Sequence, residues 1–122
     1  MILKQEVWPL DASLATRSVF RQFQKKYPRE YQSCFNNLDK IQKLLREGKR
    51  LSELQYNPSF FRHETDGIFR IGQSGVSGAK ESRLYVFLES SERVIYLLSI
   101  GTKETQKSDL ILAKKAIRKI FK

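Results

Sequence analysis

The fold is indicated most clearly by two segments: Ser82-Arg83-Leu84-Tyr85-Val86-Phe87 and Ile95-Tyr96-Leu97-Leu98-Ser99-Ile100-Gly101-Thr102-Lys103-Glu104-Thr105. Side chains alternate between two faces along a strand, and here both faces are largely apolar, as in central strands that are covered on both sides. Only the polar run 89–92 separates strands predicted over 83–88 and 93–100, so the two must be antiparallel neighbours. The pair predicts the centre of a sheet whose margin carries basic residues.

The spacing of apolar residues before and after this pair predicts the other elements. In chain order they are a strand over 2–8, a helix between a cap at Asp11 or Ser13 and Pro28, a helix from Tyr31 to Gly48, a strand over 68–71, the two strands above, and a helix from about Ser108. The segment 51–61 is predicted to be irregular. The order β-α-α-β-β-β-α predicts a small α+β domain spanning residues 1–122, with an antiparallel sheet and helices packed on one face.

Composition limits the class of protein. The chain has 122 residues, enough for one domain, and its 23 Lys and Arg against 13 Asp and Glu give a net charge of +10. Such a charge favours a polyanionic partner. The single cysteine, Cys34, allows no internal disulfide, and no apolar run approaches the ~18 residues that a membrane span needs. A cytoplasmic protein without a signal peptide or a membrane partner is therefore expected.

Several kinds of catalytic or cofactor site have no support. One histidine and one cysteine exclude a His/Cys zinc site unless carboxylates supply ligands, and no nucleophile elbow is present. The glycine-rich segment 72–80 lacks the Gly-Lys-Ser/Thr ending and the following helix of a phosphate-binding loop, so it predicts a hairpin connection. No metal and no small-molecule cofactor are expected.

What remains is a set of basic and aromatic residues along the predicted sheet. Arginine and lysine bind phosphate oxygens, and aromatic rings stack on unpaired bases. The alternative is that the charged side chains are solvated surface residues and that the tyrosine belongs to the core. The set comprises Arg62, His63, Arg70, Arg83, Tyr85 and Lys103.

The two opening segments, together with Thr105-Gln106-Lys107 and Ala113-Lys114-Lys115-Ala116, resemble the C-terminal half of RelE/HigB-type toxins of bacterial type II toxin–antitoxin modules. The resemblance covers roughly residues 67–119. It implies a concave antiparallel sheet and an mRNA endoribonuclease (mRNA interferase) that inhibits translation on the ribosome. It also implies ribosomal RNA contacts and neutralisation by a cognate antitoxin protein.

The resemblance assigns roles residue by residue. Arg83 resembles the strand arginine that contacts the scissile phosphate, and Lys103 the basic residue after the last strand. Several toxins carry a Tyr or His in that loop, where this chain has Lys107, Ser108 and Asp109, so His63 and Glu104 become the candidates for proton transfer. The residues expected to bind RNA are Arg62, Arg70, Tyr85 and Lys107.

Two alternatives stay open. The chain could be a non-catalytic relative that acts by binding, such as a gyrase-directed toxin of the ParE branch or a degenerate antitoxin- or nucleic-acid-binding module. It could also be a basic RNA-binding domain unrelated to toxins, although no aromatic motif of such domains is present.

Overall fold

The computed structural model describes residues 7–54, 60–77 and 80–121. Its centre is a five-stranded mixed sheet with the strand order β1-β5-β4-β3-β2. Strand β1 runs parallel to β5, and every other neighbouring pair is antiparallel. The strands are β1 (Leu10–Asp11), β2 (Phe61–Thr65), β3 (Ile68–Gly72), β4 (Ser82–Glu89) and β5 (Val94–Thr102).

Within the described residues, four α-helices complete the α+β domain. They are α1 (Arg17–Lys26), α2 (Pro28–Arg46), α3 (Leu51–Leu54) and α4 (Gln106–Ile120), and a 3₁₀ turn over Lys103–Thr105 leads into α4. Helix α2 buries Cys34, Leu38, Ile41 and Leu45, whose spacing of three and four residues forms one apolar stripe. Pro28 ends α1 as predicted, and it occupies the first turn of α2, where a missing N–H costs nothing.

The helices lie on both faces of the sheet, so the prediction of helices on one face is wrong. Residues of α1, α2 and α3 pack on one face in the larger core cluster. On the opposite face, Ala113 of α4 packs with Ile68, Tyr85 and Leu98. The reason is that both faces of β4 and β5 are apolar, and a second apolar face needs its own cover.

The predicted strand order also needs correction. The structure contains a strand that was not predicted, β2, which follows the segment 51–61 expected to be irregular and shares only Phe61 with it. It forms a hairpin with β3 across Asp66-Gly67, and both residues have positive φ, as a type I′ turn requires. The purely antiparallel sheet is wrong as well, because β1 pairs in parallel with β5. Most of the strand predicted over 2–8 lies outside the described residues.

Element ends differ by a few residues from the prediction. Asp11 does not cap α1; its carboxylate accepts a hydrogen bond from the Ser13 N–H at 2.8 Å, and the helix begins at Arg17. Ser108 lies inside α4 and is not its cap. The antiparallel pairing of β3 with β4 confirms the hairpin connection predicted for 72–80, except that Gly72 is still part of β3; residues 78–79 lie outside the described residues. Within the described ranges, no helix combines the length and apolarity that a membrane crossing needs.

Candidate functional site

Three arginines lie side by side on the face of the sheet that α4 partly covers. Arg62 of β2 is directly opposite Arg70 of β3, and Arg70 is directly opposite Tyr85 of β4. Arg83 stands two residues before Tyr85 and therefore projects to the same face. Arg62, Arg70 and Arg83, named here the arginine cluster, all line one surface pocket of about 180 Å³.

The wall of this pocket is held by polar side chains of α2. The buried Asn37 amide donates to the Gly72 carbonyl at 2.8 Å, where β3 ends. The Ser33 hydroxyl donates to the Ser74 carbonyl at 2.9 Å and accepts from the Ser74 N–H at the same distance. Because buried polar groups must be hydrogen-bonded, these contacts fix the loop after β3 against α2. The pocket is thus formed partly by rigid elements.

Glutamates pair with two members of the arginine cluster. Arg70 Nε lies 3.2 Å from Glu64 Oε1, and Arg83 Nη2 lies 3.2 Å from Glu81 Oε1. The Arg83 side chain is only 11% exposed, whereas that of Glu81 is 58% exposed. Arg83 is therefore the member of this pair whose charge is least screened by water.

The first residue of α4, Gln106, also belongs to the site. The side-chain oxygen of Gln106 accepts hydrogen bonds from Nη1 of Arg83 and, at 3.3 Å, from Nη1 of Arg70. Guanidinium groups only donate, so the amide oxygen of Gln106 must be the atom that faces them. One neutral side chain thus joins two cations on neighbouring strands.

A partly buried polar contact fixes the position of α4 at this point. The Thr105 hydroxyl donates to Asp109 Oδ2 at 2.7 Å and accepts from the Thr102 N–H at 3.1 Å. Burial raises the pKa of Asp109, and the hydrogen bond from Thr105 opposes that shift. The carboxylate lies directly on Gly101, where an added Cβ would be 2.0 Å from Asp109 Oδ2. Only a residue without a side chain leaves space for this arrangement.

The structure places His63 away from the arginine cluster. His63 is directly opposite Phe69, and their rings meet edge to face at 5.1 Å. Phe69 belongs to the core under α1 and α2, so His63 projects to the opposite face from Arg62 and Arg70. The backbone of β2 separates the predicted proton-transfer group from the pocket.

The residues after β5 lie at the same end of the sheet as Arg83. The Lys103 N–H donates to the Glu81 carbonyl at 3.0 Å, which places Lys103 beside the start of β4, and its side chain is exposed. Glu104 Oε1 lies 2.8 Å from Lys80 Nζ, and the hydrogen bond from Lys80 lowers the pKa of Glu104 to about 2. So low a pKa makes Glu104 a weak proton acceptor. Lys107 is exposed next to Gln106.

Tyr85 is fully buried, so its ring cannot stack on a base as predicted. It packs in the cluster beneath α4. Its hydroxyl has no hydrogen-bond partner within the part of the chain that the structure describes. Burial raises the pKa of Tyr85, and the nearby Asp109 carboxylate raises it further. Tyr85 is therefore a core residue that lies directly beside Arg70 in the sheet.

Tyr85→Phe is expected to raise the free energy of unfolding by about 1 kcal/mol, because it removes a buried hydroxyl that makes no hydrogen bond. The RNA binding predicted from the sequence should not change, since the ring is inaccessible. Urea denaturation measures the first effect, with Tyr96→Phe as the control at a half-buried tyrosine on the same face. Destabilisation by Tyr85→Phe would show that the hydroxyl is hydrogen-bonded in solution.

Three residues of the site were not predicted from the sequence: Glu64, Glu81 and Gln106. The alternation in 61–65 followed by Asp66-Gly67 is a hairpin signal, and it would have placed Glu64 beside Arg70. No comparable signal exists for Gln106, because its role depends on where α4 packs. Among residues 7–54, 60–77 and 80–121, no group of three or more His, Cys, Asp and Glu side chains could hold a metal ion.

Comparison with known proteins adds no identification: no family model matches the chain, and no curated protein matches it. What the chain binds must therefore be inferred from the geometry of the arginine cluster.

Proposed function

We propose that the chain is an mRNA endoribonuclease that resembles RelE/HigB-type toxins and inhibits translation. The observation that carries this proposal is that Arg62, Arg70 and Arg83 line one pocket on three neighbouring strands. Arginine binds phosphate with a fork of donors, and three such forks suit a chain of phosphates better than a single small anion. The net charge of +10 supports a polyanionic substrate.

The reaction expected at this site needs no cofactor. The 2′-hydroxyl of a ribose attacks the adjacent phosphorus and loses its proton, and the bond to the 5′-oxygen breaks as that oxygen gains a proton. The products are a 2′,3′-cyclic phosphate and a 5′-hydroxyl. Arg83 and Arg70 would stabilise the negative charge that accumulates on the phosphate oxygens, since fixed donors at that point lower the barrier most.

Glu81 is our candidate for the proton acceptor. Its Oε1 lies 3.2 Å from Arg83 Nη2, so a phosphate bound at Arg83 would have a carboxylate beside it. Its high exposure leaves space for a ribose. His63 and Glu104 fit this role less well, because the first lies on the other face and the pKa of the second is strongly lowered.

The partners proposed for this function follow from charge and from the resemblance. Ribosomal RNA would bind the basic surface, and a cognate antitoxin would bring an acidic segment to it. The exposed Lys103 and Lys107 beside the pocket would add to either contact.

Binding without cleavage, as in a gyrase-directed or degenerate relative, is the second candidate. It is favoured by one observation: the chain's single histidine does not reach the arginine face. The same arginine cluster would then hold a phosphate or an acidic partner without catalysing a reaction.

Glu81→Gln tests the proposal, since it removes the proton acceptor and keeps the size of the side chain. Ribosome-dependent mRNA cleavage should fall by about 100-fold or more, the typical contribution of a general base. Binding of a 2′-O-methyl RNA, which cannot be cleaved, should be unchanged or tighter because a negative charge is lost. The control is Glu92→Gln, an equal charge change at an exposed turn beyond the other end of β4.

The outcomes separate the two candidates. Cleavage that falls while binding persists supports the endoribonuclease. Growth arrest by the wild-type chain without any RNA cleavage would instead establish the binding-only function.

A further inference from the structure

Gln106 has the geometry of a bridge between the two most buried arginines of the cluster. It accepts from Arg83 on β4 and from Arg70 on β3 with the same oxygen atom. Two guanidinium groups so close repel each other, and a shared acceptor offsets that repulsion. The bridge therefore holds both donors at one end of the pocket.

The neutrality of this bridge matters for the charge of the pocket. Three arginines, Arg62, Arg70 and Arg83, face two glutamates, Glu64 and Glu81, which leaves one net positive charge. A carboxylate at position 106 would accept the same hydrogen bonds and cancel that charge. A glutamine accepts them and leaves the positive charge available to an anion.

The bridge also links the pocket to the start of α4. Gln106 follows Thr105, which is hydrogen-bonded both to the end of β5 and to the buried Asp109. The position of its amide is thus set by packing of the first turn of α4 and not by side-chain rotation alone. Fixed placement of this kind lowers the cost of assembling a binding site.

We propose that Gln106 is a positioning residue that presents Arg70 and Arg83 to an RNA phosphate as one site without neutralising them. The inference rests on the proposed function and deepens it. Gln106 acts through the two arginines and is not itself assigned a contact with RNA.

Gln106→Glu provides the sharpest test, because binding and stability should change in opposite directions. The new carboxylate should pair with both arginines, so the melting temperature should stay the same or rise. The Kd for a 2′-O-methyl single-stranded RNA should increase by about tenfold or more, because the RNA phosphate must displace an ion pair. A merely structural glutamine would predict that stability and affinity fall together.

Two further variants complete the experiment. Gln24→Glu introduces the same charge at an exposed position of α1 on the far side of the sheet, and its Kd should change by less than about twofold. Gln106→Met keeps the length of the side chain and removes the acceptor. It should weaken RNA binding by about threefold or more, since the arginines are no longer held together.

The result that overturns the inference is distinct from failure of the proposed function. If Arg83→Ala weakens RNA binding but Gln106→Glu binds like Gln24→Glu, the arginine site stands and the positioning role is wrong. If Arg83→Ala and Gln106→Glu both bind RNA like the wild-type chain, the proposed function is wrong, and the inference that rests on it fails too.

Discussion

Under the proposed function, Arg83→Ala is expected to reduce ribosome-dependent mRNA cleavage by about 100-fold or more. Removing one fixed donor from a developing oxyanion typically has an effect of this size. Arg83 should show it most strongly within the cluster because its side chain is only 11% exposed and its charge is poorly screened. Primer extension on a translated mRNA measures the cleavage, and growth arrest on expression provides a second readout.

The controls for Arg83→Ala separate the site from general charge and from folding. Arg21→Ala removes the same charge from the exposed surface of α1 and should leave cleavage within about twofold. Arg83→Lys keeps the charge and loses the fork, so it should retain only part of the activity. Full activity in a folded Arg83→Ala variant would contradict the assignment, and urea denaturation establishes that the variant is folded.

Gly101→Ala is expected to lower the free energy of unfolding by about 1–3 kcal/mol, the usual range for overpacking a filled interior. The new methyl group would lie 2.0 Å from Asp109 Oδ2 and 2.5 Å from Thr105 Oγ1. Both atoms belong to the hydrogen bond that fixes the start of α4, so that bond must shift or break. Urea denaturation measures the effect, and the proposed RNA binding should weaken too because Gln106 moves with α4.

A matched glycine serves as the control. Gly72, at the end of β3, has only ordinary contacts at 3.8 Å around an added Cβ, so Gly72→Ala should change stability by less than about 0.5 kcal/mol or increase it. Combining Gly101→Ala with Asp109→Ala removes the closest clashing atoms, and the two effects should be less than additive. Additive effects would show that the methyl group is accommodated without displacing Asp109.

Local patterns in the sequence predicted those elements whose side chains have a clear period. The apolar stripe of α2 and the apolar faces of β4 and β5 can be recognised in the sequence, because a buried face requires apolar residues at the regular spacing of a helix or a strand. Pro28 predicted the end of α1 equally well, because a proline in the interior of a helix breaks it. Strand β2 was missed although Asp66-Gly67 marked its turn, because its exposed positions carry charge and gave no apolar run.

The site was only partly predictable for a related reason. Arg62, Arg70 and Arg83 could be chosen as basic residues of the sheet, but their placement on a common face depends on strand register. A shift of one residue in the register of a strand moves every side chain to the other face of the sheet. The register found here places His63 beside Phe69 and not beside the arginines. The prediction that Tyr85 stacks on RNA is wrong because local sequence does not show that α4 covers this ring.

Local composition and residue spacing are enough to specify the α+β class, the central antiparallel strand pair and the strongly positive charge. That α4 covers the second face of the sheet and brings Gln106 to Arg70 and Arg83 follows only from long-range packing. The difference lies in the range of the interactions. Periodicity acts between near neighbours along the chain, whereas the bridge joins residues that are 23 and 36 positions apart and depends on the packing of α4 against Gly101.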